Sequence, residues 1–412
     1  MGETPERPER RRRLRLVPRY RDQGYDAESV DKRRRWVEEI TGARLDGVGG
    51  AVAPTEELRG NVENPIGTVQ TPLGVAGPLR VRGEHLDDEV YVPLATTEGA
   101  LVRSYERGMA AITRAGGAQT RVWGDRNRIA PIFELDDVAQ ARSFAAEVEA
   151  HGEQIRAVAD GTTRFGRLET VHAVPVGRRV ILELGFFTGD AHGMNMLSRA
   201  AGAVCAWLSD HLAPDSSKHL VLSGFSAEKR PAGSLLRGGK GKKVTAGCRL
   251  PPSVVRSILR TSPEEIVALW RSTVLAHLAT GAYGYNGHAA NGLTALMIAT
   301  GQDVANIANA AVCITSFEMR GEDLEASVTL PSLTLATVGG GTGLGTSAEC
   351  LEMLGCRGSG RARRLAEIAA ATVLAGELSM GAALASGEFV AAHEAYGRNR
   401  PGGGAGDPES GA

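Results

Sequence analysis

A chain of 412 residues in which 47 Lys and Arg face 48 Asp and Glu has a net charge of −1, which excludes the basic excess of a nucleic-acid binder. Its 42% hydrophobic content fits a soluble globular protein with a large core and room for two or three domains. Five cysteines without paired spacing argue against a zinc ribbon or a secreted disulfide scaffold, and the charged residues after Met1 contain no signal-peptide core, so a cytosolic setting with reduced thiols is expected.

In chain order, the Arg-rich run from Arg7 to Arg21 reads as a solvated tail, with a phosphate-holding surface as the alternative. Tyr25 to Gly42 has Val30, Trp36, Val37 and Ile40 at helical spacing and ends at a glycine, which predicts a helix. From Glu63 to Leu79, glycine and proline recur between apolar residues, so short extended pieces joined by tight turns are expected. Tyr91 to Leu94 reads as a strand, and a Thr N-cap after it would place Glu98 in the first turn of a helix.

Pro131–Leu135, Leu168–Val174 and Arg179–Phe187 read as strands and Asp137–Ala150 and Gly193–Leu212 as helices, with Leu220–Leu222 a possible last strand. The order suggests an inserted, ferredoxin-like unit of roughly one hundred residues. Its run from Gly189 to Met196 turns from strand into helix, where phosphate can bind, although an ordinary glycine turn explains the spacing equally. Neither common nucleotide fingerprint is present. Gly339 to Gly345 misses the dinucleotide register and Arg237 to Lys243 misses the P-loop spacing; the latter could hold a polyphosphate or be a charged surface loop.

Lys229 falls in a short loop between apolar segments, where most lysines are solvated. From His288 to Glu318 the only formal charge between the ends is Asp303, and residues 289–299 predict a helix buried on nearly every side. Asp303 therefore needs a cationic partner, unless it caps the segment starting at Val304. Arg363 to Glu388 predicts a long C-terminal helix, and His393 beyond it is either a proton donor or a surface histidine.

Together, Glu63–Leu79, Ala95–Gly99, Asp190–Met196, Asn286–Asp303, Thr337–Thr342 and Ala375–Ser379 resemble, in order and spacing, the 3-hydroxy-3-methylglutaryl-CoA reductase family over roughly Tyr25 to Arg400. The biosynthetic, NADPH-dependent class of soluble prokaryotic type is the nearer match. The resemblance implies an α+β fold: a large helical and mixed catalytic domain with an inserted ferredoxin-like dinucleotide-binding domain. The implied divisions are a basic tail (1–24), an N-terminal helical subdomain (25–60), the catalytic domain in two parts (61–121 and 223–392), the NADP-binding insert (122–222) and a flexible C-terminal segment (393–412). It also implies a cytoplasmic, intertwined homodimer with interfacial active sites. Two NADPH would reduce HMG-CoA through mevaldyl-CoA and mevaldehyde to mevalonate and CoA, with no metal, no nucleic acid and no membrane.

By motif, Glu98, Lys229, Asp303 and His393 look like the catalytic four. Lys229 would stabilise the oxyanion, Glu98 donate a proton, His393 ease thiolate departure, and Asp303 tie Lys229 to Glu98. The resemblance suggests Arg121, Ser223, Arg230, Arg271 and Asn291 for substrate. For the dinucleotide it suggests Ser104, Arg107, Arg164, Asp190, Gly193, Met194, Asn195, Gly339, Gly340 and Arg398, with Arg164 and Arg398 on the 2′-phosphate. Two departures stand out: the usual Asp-Lys-Lys reads Glu228-Lys229-Arg230 in a shorter loop, and Asn399 replaces the phosphorylated serine of animal enzymes.

Overall fold

The computed structural model describes residues 16–18, 27–48, 61 and 69–387. The expected basic tail, most of the Glu63–Leu79 motif's first half, His393 and Arg398 lie outside the described residues. Helix α1 (Ala27–Thr41) precedes strands β1 (Leu73–Arg82) and β2 (Asp87–Ala95), helix α2 (Leu101–Arg114) and the long strand β3 (Ala118–Ile129). Then come β4 (Ile132–Glu134), α3 (Val138–Ala150), α4 (Gly152–Asp160), β5 (Arg167–Val176), β6 (Arg179–Phe187), α5 (Met194–His211) and β7 (Lys218–Leu220). The second half holds β8 (Gly241–Leu250), the short α6 (Pro252–Val254), α7 (Pro263–Thr280), α8 (Ala289–Ala299), α9 (Ile307–Ala310), β9 (Ile314–Arg320), β10 (Asp323–Leu333), α10 (Gly345–Met353) and α11 (Ala362–Ala385).

β3 is shared between two layers. Residues 119–126 pair with β8, which continues through β10 to β9, whereas residues 127–129 pair with β6. On the β6 side the order is β7-β4-β6-β5, all antiparallel. That is the fourth, first, third and second strand of a split βαβ unit, the ferredoxin-like arrangement expected from the sequence. Phe133, Phe144, Leu182, Leu184, Phe186, Leu197 and Val204 form its separate core. The sequence reading missed α4, which completes the cover over β5.

The larger core surrounds α11. This helix is long and apolar enough to cross a membrane by length and composition, but it is buried inside the body against α2, α7, α8 and strands β3, β8 and β10. Gly108 of α2 lies directly on the Ala375 carbonyl of α11, where no side chain fits, so the two helices touch backbone to backbone. Of the short pieces expected from Glu63 to Leu79, the described part from Leu73 on is one strand, β1, whose register on β2 shifts between Ala76 and Leu79. All five cysteines are buried and unpaired, and burial pushes the Cys205, Cys350 and Cys356 thiols up to about 12.

Three helix carboxylates fasten distant turns by the same device. Glu349 accepts the N–H groups of Gly47 and Val48, Glu367 those of Glu84 and His85, and Glu377 those of Gly287 and His288 at 2.6 and 2.8 Å. Glu377 also accepts the Thr315 hydroxyl at 2.9 Å. Each charge-assisted bond contributes about 1.5–3 kcal/mol. Glu377→Ala should therefore lower unfolding stability by at least about 3 kcal/mol in urea titration; an unchanged midpoint would show that the clamp is dispensable.

Candidate active site

Lys229 lies in the loop after β7, and its backbone is unusual. Ala227 and Lys229 both have φ of 54°, a left-handed conformation that costs a non-glycine residue about 1–2 kcal/mol. Something must hold them there. The side chain of Asn309, fully buried on α9, accepts the Lys229 N–H at 2.8 Å and donates to the Ala227 carbonyl at 2.6 Å. Six residues upstream, Asp303 Oδ2 lies 2.6 Å from Lys229 Nζ. One short segment, 303–310, thus grips both the backbone and the ammonium of the lysine.

Asp303 realises both alternatives left open by the sequence. It pairs with a cation, and it caps the 3-10 turn Val304–Asn306 by accepting the Ala305 N–H at 3.3 Å. Its expected burial is corrected: α8 is buried nearly all round, but it stops at Ala299, and the following turn carries Asp303 to the rim, where its side chain is 38% exposed.

The placement of Glu98 is also corrected. It precedes the helix, because Ala100, left-handed at φ 68°, occupies the N-cap of α2 without a side-chain cap; the Thr96 hydroxyl accepts the Glu98 N–H instead. Glu98's carboxylate accepts the Asn291 amide at 2.9 and 3.1 Å. Asp303 holds the lysine, and Asn291, on α8, holds the glutamate.

The Arg237–Lys243 segment is no charged surface loop. Lys240 is fully buried and Lys242 nearly so, because each has a carboxylate waiting: Lys240 pairs with Glu228, and Lys242 with Asp125 at 3.1 Å. Lys240 also donates to the Arg128 carbonyl at 3.1 Å. Burial raises the Glu228 carboxyl, but His192 and the Lys240 ammonium overcome this and hold it at about 2. His192 Nε2 stands 3.5 Å from Glu228 Oε1, and Nδ1 4.0 Å from Asp303 Oδ2. Arg128, which reaches the Ser226 carbonyl, Glu183 and Ser234, backs the same loop. The sequence reading missed Asn309, His192, Lys240 and Arg128. His192 lay inside a motif of the resemblance, and Lys240 and Asn309 inside stretches singled out for other reasons.

Other expected residues scatter. Ser104 and Arg107 bond to Ser379 of α11, at 3.0 and 2.6–3.0 Å. The Ser223 hydroxyl donates to the Ala130 carbonyl, and Arg230 is exposed beside Gly224. Arg271 is exposed on α7. Arg121 pairs with Glu84 and, with Arg82, Trp123, Arg249 and Arg320, lines a cavity of about 450 Å³ to which the Lys229 loop contributes nothing. Asp190's carboxylate accepts the N–H groups of Gly360 and Ala362, fastening the loop before α5 to the start of α11. Gly193, left-handed, is the N-cap of the 18-residue α5, which has no side-chain cap; Met194 and the exposed Asn195 follow. Arg164 is exposed in a loop whose Thr163 bonds to Met196 in the first turn of α5. Gly339 and Gly340, both with positive φ and exposed, are the N-cap and first residue of a 3-10 turn.

Two outcomes follow from this geometry. Asn309→Ala takes the partner from the Lys229 N–H, leaves the Ala227 carbonyl with only its 3.3 Å bond from the Arg230 N–H and releases Lys229, so turnover should fall at least tenfold while circular dichroism stays native; full activity would remove Asn309 from the site. Glu228 contributes stability that is present above its unfolded value of 4.5 and lost as pH falls through about 2. Glu228→Gln should thus be less stable than wild type at neutral pH, with the gap closing in acid; a gap constant from pH 7 to 2 contradicts the pairing.

Comparison with known sequences places this arrangement. The profile described as hydroxymethylglutaryl-coenzyme A reductase matches residues 29–398. The 3-hydroxy-3-methylglutaryl-coenzyme A reductase of Aeropyrum pernix is 43% identical over 374 residues, 89% of either chain. That of Methanothermobacter thermautotrophicus is 43% identical over 376 residues, 90% of this chain and 94% of its own. Among solved structures, the Streptococcus pneumoniae reductase aligns with a TM-score of 0.70 at 21% identity, over 86% of this chain and 96% of its own. The class II S. pneumoniae enzyme bound to NADPH in open conformations aligns equally well. At that identity the structural likeness speaks for the fold, whereas the profile and the closely similar sequences carry the family: this chain belongs to the HMG-CoA reductases.

Proposed function

We propose that this protein is an NADPH-dependent HMG-CoA reductase, converting 3-hydroxy-3-methylglutaryl-CoA to mevalonate and CoA, with Lys229, Asp303, Glu98 and His393 as its catalytic residues. The observation that carries this reading is the doubly held Lys229, whose partner Asp303 meets the loop that leads into α5.

The residues around α5 fit a dinucleotide. A long helix whose first turn has no side-chain cap offers N–H groups to a pyrophosphate, and Gly193 brings the backbone close. Arg164, in the loop packed on Met196, is placed beside that turn for a 2′-phosphate, which favours NADPH over NADH. NADPH, when bound, supplies the hydride in each of the two reductions. Residues 122–222 then form the cofactor unit and the two flanking segments the catalytic unit.

The chain's own groups do the rest. Lys229's ammonium, aimed by Asp303, stabilises the negative oxygen that forms as the thioester carbon, and later the aldehyde carbon, is reduced. His393 gives a proton to the departing CoA sulfur. Glu98, oriented by Asn291, protonates the alkoxide of mevalonate. Arg230, Arg271, Ser223 and Arg121 are proposed for the substrate's carboxylate and CoA. Ser104, Arg107, Asp190, Gly193, Met194, Asn195, Gly339, Gly340 and Arg398 are assigned to shaping or contacting the cofactor pocket. Of these, Ser104, Arg107 and Asp190 act through the backbone and Ser379 contacts already made.

A cytoplasmic homodimer completes the reading. The second half of α7 and the residues after it leave Leu275, Leu278 and Tyr283 more than half exposed, an apolar face suited to a second copy.

The test is spectrophotometric. Purified protein should oxidise two NADPH per HMG-CoA and work much less well with NADH. Lys229→Ala should lower kcat by about 10²–10³ or more with the fold intact. Protein that binds both ligands without oxidising NADPH, or a Lys229→Ala variant with wild-type kcat, contradicts the assignment.

A further inference from the structure

The mechanism above leaves the ring of His192 unused. His192 belongs to the loop between β6 and α5, and its surroundings are a line of alternating charge. Buried Lys240 pairs with Glu228, Glu228 faces His192 Nε2, His192 Nδ1 faces Asp303, and Asp303 pairs with Lys229. Each carboxylate already has one lysine, and the imidazole stands between them.

The loop that carries the ring is fixed on every side. Asn127 donates to the His192 carbonyl at 2.9 Å, and the Asp190 carbonyl accepts from Thr337 at 2.9 Å. Asp190's carboxylate, the nearest charge on the ring's own loop, is occupied by Gly360 and Ala362. Arg128 lies behind Lys240, not against the ring. The imidazole is therefore held in place by its backbone, and its Nε2 is buried with no other acceptor.

We propose that His192 is a positioning residue for Lys229: a ring anchored on the α5 loop that holds Glu228 and Asp303 on its two nitrogens and so keeps the lysine's loop aligned with the cofactor-binding unit. This rests on the reductase reading for what Lys229 does. Lys229's backbone is strained and its ammonium is on the rim, so its aim depends on what Asp303 does. Glu228, next to Lys229 in the chain, is fixed by the buried Lys240 from one side and by the ring from the other. The ring, with one nitrogen toward each carboxylate, sets the spacing between Glu228 and Asp303 and with it the aim of Lys229.

This separates a positioning role from a cofactor contact. Three proteins are compared: wild type, His192→Leu and His192→Gln. For each, NADPH affinity is measured by fluorescence titration without HMG-CoA, and kcat and KM for HMG-CoA are measured at one pH. His192→Leu should lower kcat at least tenfold while its NADPH Kd and HMG-CoA KM move by no more than about threefold. His192→Gln, which can still donate to one carboxylate, should recover part of the loss. His192→Leu with wild-type kcat overturns the proposal. So does a large loss of NADPH affinity with kcat unchanged at saturation, which would make the ring a cofactor contact. Failure of the reductase reading shows itself separately, as wild-type protein that binds NADPH without oxidising it.

Discussion

A carboxylate buried in the middle of α11 decides where α8 begins, and most of the site is measured from α8. Glu377 takes two consecutive N–H groups, at Gly287 and His288, together with the Thr315 hydroxyl on β9. A buried ionised carboxylate is costly unless its lone pairs are filled, and here at least three donors fill them. The turn before α8 is thereby nailed to the central helix. Asn291, in the first turn of α8, then lies where it can hold Glu98, and the far end of the same helix releases the chain into Asp303 and Asn309. The side chain that holds Glu98 and the lysine's two partners therefore come from one stretch of chain, residues 291–309, whose starting point is set by a single glutamate.

The smaller unit meets that stretch through one loop. Asp190 fastens the loop to the start of α11 and to residues 337–338, so the N-terminus of α5 is positioned by the same helix that positions α8. The proposed dinucleotide site and the lysine site are thus referred to one buried element. The contact between them is a chain of ion pairs rather than an apolar seam, which gives the geometry a dependence on charge that packing alone would lack.

Much of this was legible from sequence. The ferredoxin-like unit showed itself because its strands and helices alternate with clear periods and turn residues, and α8 and α11 because apolar and small residues run round their whole circumference. Asp303 advertised itself as a lone charge in an apolar run. What stayed hidden depends on tertiary partners. Nothing local to Lys240 indicates that a lysine among glycines and lysines is fully buried, because the reason is Glu228 in another segment. Asn309 looks like any polar residue on a short helix until the strained carbonyl and N–H it satisfies are seen across the gap. Glu98 was misplaced because a Thr before an apolar run mimics an N-cap, whereas the tertiary structure starts α2 later, at a left-handed alanine. β8 and β10, whose alternation is plain once seen, carry lysine, glutamate and glycine that blur it in sequence.

The central claim is that Lys229 and Asp303 act as one unit, and a double-mutant cycle addresses it most directly. NADPH oxidation on HMG-CoA would be measured for wild type, Lys229→Ala, Asp303→Ala and the double variant, with folding checked for each. If the pair is a unit, the double variant loses no more than the worse single variant, because the second substitution removes a partner that no longer has a role. Losses that multiply, each variant lowering kcat independently of the other, would show that the ion pair is not what aims the lysine.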